Sequence, residues 1–186
     1  MRGTMDSTQD GMSMGYTFEV ADPETCRHTY DFPARMGGRS EVITTAQASY
    51  ARGDVTYLMT LLKSASAAAT VGDRWIRLNR HPAAKTCQTG ELLDTFALKK
   101  PRRGNDSYVD GQKTGTLVEK KADDLGERNV TYHVAPGDDP HLVKIVSEAE
   151  SDRMTRTTTL SDFNKRVQIQ TPPADRVVQE QDLQPG

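Results

Sequence analysis

The chain has 186 residues, 35 % of them apolar and 27 % charged, with 24 basic against 26 acidic side chains and a formal net charge of −2. That length fits one domain, and the balanced charge excludes both the excess typical of a disordered chain and the basic surplus of a general nucleic-acid binder. Even with its 14 glycines the chain stays near the low side of the roughly 45–50 % apolar content usual in globular domains, so its core is thin for its length.

In chain order, the start MRGTMDSTQDGMSMG has neither the basic n-region nor the apolar h-region of a signal peptide. The first predicted strand is GMSMGYTFEV, where Met12, Met14, Tyr16, Phe18 and Val20 alternate with smaller or polar residues. An Asp-Pro turn at 22 and 23 leads to CRHTYDF, and RMGG at 35–38 separates it from RSEVITT and ASYAR, all read as antiparallel strands. At Asp54, a helix N-cap, the period changes: Val55, Leu58, Met59 and Leu62 share one helical face, and the alanines at 65 and 67–69 extend the helix to Gly72. RWIRL at 74–78 is a short strand, and a second short helix is placed around Leu92, Leu93 and Phe96. Nowhere does the chain offer the run of about 18 apolar residues that spans a bilayer.

From residue 106 a meander follows: TGTLVEK, RNVTYHVA, HLVKIVSEA and MTRTTTLSD, separated by charged or GDDP-type turns. The next stretch, SDFNKRVQIQTPP, reads as a turn and a further short strand ending at a proline pair. Beyond Pro172 and Pro173 the chain cannot run as a central strand, because each proline removes a ladder donor; it is expected to pack at an edge, with 180–186 loose. The fold class is therefore α+β, one large antiparallel sheet with helices on one face, and with so few large side chains the space between them is expected to stay unfilled.

Chemistry-bearing motifs are sparse. There is no GxSxG, HExxH, SxxK, phosphate loop or dinucleotide fingerprint, so no enzyme activity and no cofactor are expected. His133 and His141 flank a turn carrying Asp138 and Asp139, a metal-assisted alternative that lacks any recognised ligand spacing; His28 and His81 stand apart. KKPRR at 99–103 is either a solvated loop or a contact for anionic headgroups. Cys26 and Cys87 are either two unpaired thiols or one bridge; a bridge closes a long loop, worth about 4 kcal/mol, and implies an oxidising compartment.

In order, GGRSEVITTAQASYARGD followed by GDRWIRL, then VTYHVAPGDDPHLVKIVSE, then TTLSDFNKRVQIQTPPADRVV resemble the hairpin–helix–Trp strand, the strand–turn–strand unit and the C-terminal signature of the LolA-like carriers and the actinobacterial LppX/LprG lipoproteins, over most of residues 11–179. The resemblance implies a half-barrel of antiparallel strands with helices on its concave face, closed around an apolar cavity. It also implies a Cys26–Cys87 disulfide, an extracytoplasmic place in the cell envelope or secreted, and the carriage of a lipid or other hydrophobic molecule by a monomer. The family opens with an acylated cysteine and a helix ahead of the first strand; neither precedes Met12 here, so an N-terminally truncated single domain is expected.

On that reading Met12, Met14 and Phe18 on the sheet and Leu58, Leu61, Leu62, Leu92, Leu93 and Phe96 on the helices line the ligand cavity. Ordinary core packing is the competing reading of the same stripes. The alternative function is a ligand-free structural or interaction module of the envelope.

Overall fold

In the computed structural model, the structure describes residues 1–79, 87, 98–123, 126–149 and 153–183. The strands are β1 (Arg2–Gln9), β2 (Met12–Asp22), β3 (Thr25–Asp31), β4 (Arg39–Thr44), β5 (Ser49–Gly53), β6 (Trp75–Arg77), β7 (Arg102–Arg103), β8 (Ser107–Val109), β9 (Gln112–Asp123), β10 (Gly126–Ala135), β11 (His141–Ala149), β12 (Met154–Ser161) and β13 (Val177–Gln179). Two α-helices stand between β5 and β6, α1 (Val55–Leu62) and α2 (Ala65–Val71). The hydrogen-bonded order is β13-β6-β5-β4-β3-β2-β1-β12-β11-β10-β9-β7, with β8 also on β9. The large, mostly antiparallel sheet with few helices is the architecture expected from the sequence. The exception is β13, which lies parallel to β6 with Val178 opposite Ile76.

The chain packs as two compact units, one of Met1, Tyr16–Thr95 and Asn164–Gly186, the other of Arg2–Gly15 and Phe96–Phe163. In the first, α1 begins where Asp54 accepts a hydrogen bond from the Tyr57 N–H at 2.9 Å, as an N-cap should. The helix does not continue through the alanines as expected. Lys63 takes a left-handed backbone, φ 55°, and Ser64 caps a new helix by accepting from the Ala67 N–H; a serine able to cap competes with helix continuation. Leu58, Ala68, Val71 and Ile76 form a buried cluster, with Tyr57, Leu61, Leu62, Leu78, Val178 and Leu183 packed on it. Gly53 lets α1 approach this closely, because a Cβ there would fall 2.5 Å from the Tyr57 ring.

At the C-terminal end, residues 165–173 carry no strand, although Val167 is buried. Strand pairing resumes only after the proline pair, at an edge, as the missing proline donors require. Arg176 pairs with Asp73 at 2.5 Å and the Asn79 N–H donates to the Glu180 carboxylate at 2.6 Å, fastening β13 beside β6. Residues Glu180–Leu183 form a 3-10 turn.

The second unit holds β1, paired with β12 from Arg2 opposite Ser161 to Gln9 opposite Met154. This strand precedes the first one read from the sequence; the Asp10-Gly11 turn that joins it to β2 has positive φ at both residues, 48° and 79°, the geometry that Asp-Gly hairpins favour. Val130, Tyr132 and Ile145 make its buried cluster, with Leu117 and Leu142 against it.

Candidate functional site

Directly paired residues of neighbouring strands share a sheet face, so the register of β3, β4, β5, β6 and β13 fixes what the helix-covered face of the first unit presents. One row runs Cys26, Thr44, Ser49; the next His28, Val42, Ala51, Ile76, Val178; a third Tyr30, Ser40, Gly53. Because Ile76 belongs to the cluster beneath α1 and α2, this is the face the helices cover.

An aromatic stripe crosses that face. Tyr16 and Phe18 of β2 lie 5.7 Å apart between ring centres, Tyr16 stacks on Tyr30 at 4.9 Å and on His28 at 5.7 Å, and Tyr30 meets Phe32 at 5.6 Å. Tyr16, Tyr30, Phe32, Tyr57 and Val42 are each only half-buried, whereas Phe18 and His28 are buried. Burial pushes the Tyr16, Tyr30 and Tyr57 hydroxyls up from their ordinary pKa, so these phenols keep their protons. The Tyr16 hydroxyl is hydrogen-bonded to His28 Nδ1 at 2.5 Å, and His28 Nε2 lies 3.1 Å from the Cys26 sulfur. That sulfur is bonded to Cys87 across a separation of 61 residues, with the Cα atoms 5.3 Å apart, and both cysteines are fully buried. Apolar ring faces tipped with hydroxyls can hold a hydrocarbon and still offer hydrogen bonds to an ester or hydroxyl group.

Of the lining residues read from the sequence, Phe18 belongs to this stripe. Leu58, 1 % exposed, sits inside the packed cluster, and Leu61 and Leu62 border it half-buried. Met12 and Met14 are half-buried on the part of β2 that belongs to the second unit. Leu92, Leu93 and Phe96, with the helix expected there, lie outside the described residues, as does His81. Tyr16, His28, Tyr30 and Tyr57 were not among the candidates; the alternation that singled out Phe18 marks Tyr16 as well, but polar tips hide such residues from a search for apolar walls.

Two clefts, one in each unit, have charged side chains at their borders. One of about 550 Å³ in the first unit is bordered by Tyr30, Asp31, Arg39, Glu41, Arg52 and Asp54 among others. Another of about 710 Å³ in the second unit is bordered by Lys120, Lys121, Glu127, Arg128, Asn129 and Glu148 among others. His133 faces Thr114, and burial with the neighbouring Lys144 charge pushes its pKa down. His141 Nδ1 donates to the Asp139 carbonyl at 2.9 Å. Among the described residues no group of three or more His, Cys, Asp or Glu gathers as a metal site would require. The KKPRR segment is tied down: the Lys99 and Lys100 N–H groups donate to Glu119 at 3.0 and 2.7 Å, and Arg102 and Arg103 pair with β9. No helix among the described residues is long and apolar enough to cross a membrane.

No protein-family model and no curated protein matches the sequence. Among solved structures the chain is similar to the lipoprotein LppX of Mycobacterium tuberculosis, with 12 % identity and a TM-score of 0.55 over 91 % of this chain and 88 % of that one. It is similar also to LprF of Mycobacterium bovis, with 14 % identity and a TM-score of 0.54 over 92 % and 88 % of the two chains. At such identities the likeness carries the fold: this chain folds as LppX and LprF do, the group its sequence resembles.

Proposed function

We propose that the chain is a non-enzymatic binder or carrier of a lipid or other hydrophobic ligand, working outside the cytoplasm at the cell envelope. The observation that carries the reading is the fold shared with LppX and LprF over about nine-tenths of each chain. The half-buried aromatic stripe supports it from within. An acyl chain laid against the half-buried rings of Tyr16, Tyr30 and Phe32 gains about 0.8 kcal/mol per buried methylene, so a handful of methylenes suffices for retention. The protonated phenols of Tyr30 and Tyr57 supply donors for the oxygen atoms at the end of such a chain. A fully buried disulfide supports the oxidising compartment.

Native mass spectrometry of protein purified without detergent from a lipid-rich host tests the reading. The expected spectrum contains an adduct of lipid mass that organic extraction removes. Only apo-protein, before and after incubation with a lipid extract, overturns it. The solid packing around Leu58 favours the competing ligand-free interaction module, and that second spectrum is what the module predicts.

A further inference from the structure

Residues 55–71, VTYLMTLLKSASAAATV, hold both α-helices of the described residues and a single charged side chain, Lys63, in a chain that is 27 % charged. Their outward side is apolar or small. Val55 is 60 % exposed and Met59, one turn later on the same side of α1, is 47 % exposed; on α2, Ala65, Ser66, Ala69 and Thr70 are exposed. Met36 is also exposed, on a 3-10 turn fastened near the start of α1, where the Arg39 N–H donates to Asp54 at 2.8 Å and the Asp54 N–H donates to the Arg39 carbonyl at 2.9 Å.

The charges around this face are unequal. Asp54, at its edge, is an ionised carboxylate that accepts from the N–H groups of Arg39 and Tyr57, and the Asp73 charge is offset by Arg176, so three cations face one unmatched anion. The cations are Arg35 and Lys63, both exposed, and Arg74, which donates to the Val71 and Thr70 carbonyls at the end of α2. An uncharged centre with a cationic margin fits an anionic bilayer surface, where apolar side chains enter the headgroup boundary and long basic ones reach out to the phosphates. A second copy of the chain fits poorly. Two helices about 12 Å long and about 10 Å apart offer a few hundred Å², short of the about 800 Å² per partner of a stable interface.

We propose that the outer face of α1 and α2 docks the protein on an anionic membrane surface. Docking needs no cargo, so delipidated protein is the material for the test, and the result here and the adduct spectrum stand or fall separately. The measurement is flotation with vesicles of phosphatidylcholine containing a minor fraction of phosphatidylglycerol, against vesicles of phosphatidylcholine alone. Delipidated protein floats with the anionic vesicles and less with the neutral ones. Val55→Asp together with Met59→Asp lowers the partition by about tenfold or more, since two apolar contacts are replaced by charges repelled from the surface. Val55→Asp alone, at a first-turn position where an acidic side chain favours the helix, gives a smaller loss in the same direction and serves if the double variant misfolds by circular dichroism. Lys63→Gln weakens binding to anionic vesicles only, and Tyr108→Ser, at an exposed aromatic of the second unit, leaves it unchanged. The proposal is overturned by absent flotation, by flotation that the Val55 and Met59 variants leave intact, by equal binding to both vesicle types, by loss on Tyr108→Ser, or by a dimer in sedimentation that the double variant abolishes.

Discussion

The two faces of β2 to β6 in the first unit arise from the same alternating strands and are held by different forces. On the helix-covered face the contacts are ring against ring, helix against Ile76, and one disulfide. On the other face, charges run across the strands. Arg27 lies 3.4 Å from Glu19 and 3.3 Å from Glu41, Arg52 lies 2.6 Å from Glu41, and the Arg52 guanidinium sits 4.5 Å over the Trp75 ring. The Arg27 Nε contact with Glu41 is one of charge and not an aligned hydrogen bond. The helix-covered face carries the packed cluster, while on the other Ile43 and Trp75 are buried among ion pairs that water partly screens. One face is fastened by weak charge pairs, and the other carries half-buried rings, where the proposed ligand would lie.

Breaking the covalent link should cost most. Replacing Cys26 and Cys87 together by Ser frees a loop spanning 61 residues and should lower unfolding free energy by about 4 kcal/mol in the chain-entropy account, measured by denaturant titration against the oxidised protein. A smaller loss is expected from Gly53→Ala. Its new methyl meets the Tyr57 ring and the Arg39 carbonyl, each at 2.5 Å, and pushing α1 outward should cost about 1–3 kcal/mol. A comparable change on the charged face should be weaker: Arg52→Ala is expected to lose no more than about 1 kcal/mol, fading in high salt. Equal costs for Gly53→Ala and Arg52→Ala would erase the distinction between the faces.

Asp54 sharpens the comparison through pH. Burial works to raise its pKa, and the N–H groups of Arg39, Tyr57 and Thr56 with the Arg39 charge outweigh it, so the carboxyl is held below its usual range. A lowered folded pKa contributes stability that is present above the unfolded value, near 3.9, and lost as pH falls through the folded one. Asp54→Ala should therefore cost about 1 kcal/mol near neutral pH, mostly as a lost cap, and the gap to the parent protein should close as the solution is made acid. Paired denaturation curves across that range check it.

What was legible in the sequence follows the same division. β11 and the Asp54 cap could be read because alternation and capping are local signals. β1 was missed because RGTMDSTQ carries one large apolar residue, Met5, and only the Asp10-Gly11 pair announced a hairpin. The break at Lys63 was hidden by good helix formers on both sides of Ser64. VQIQ alternates like a strand yet finds no ladder, while VVQ after the prolines does, because pairing with β6 depends on residues a hundred positions away. In the stripe, Phe18 is marked by alternation; Tyr16, His28, Tyr30 and Tyr57 assemble from β2, β3 and α1, and no local window contains them together.

The proposal that a hydrophobic guest meets the helix-covered face is tested by nuclear magnetic resonance with a spin-labelled fatty acid titrated into delipidated protein. The account predicts that the ring signals of Tyr16, Phe18 and Tyr30 broaden first, while Trp75 and Tyr50, on the opposite face by register, stay sharp. Broadening led by Trp75 and Tyr50, or no selective broadening at saturating ligand, would contradict it.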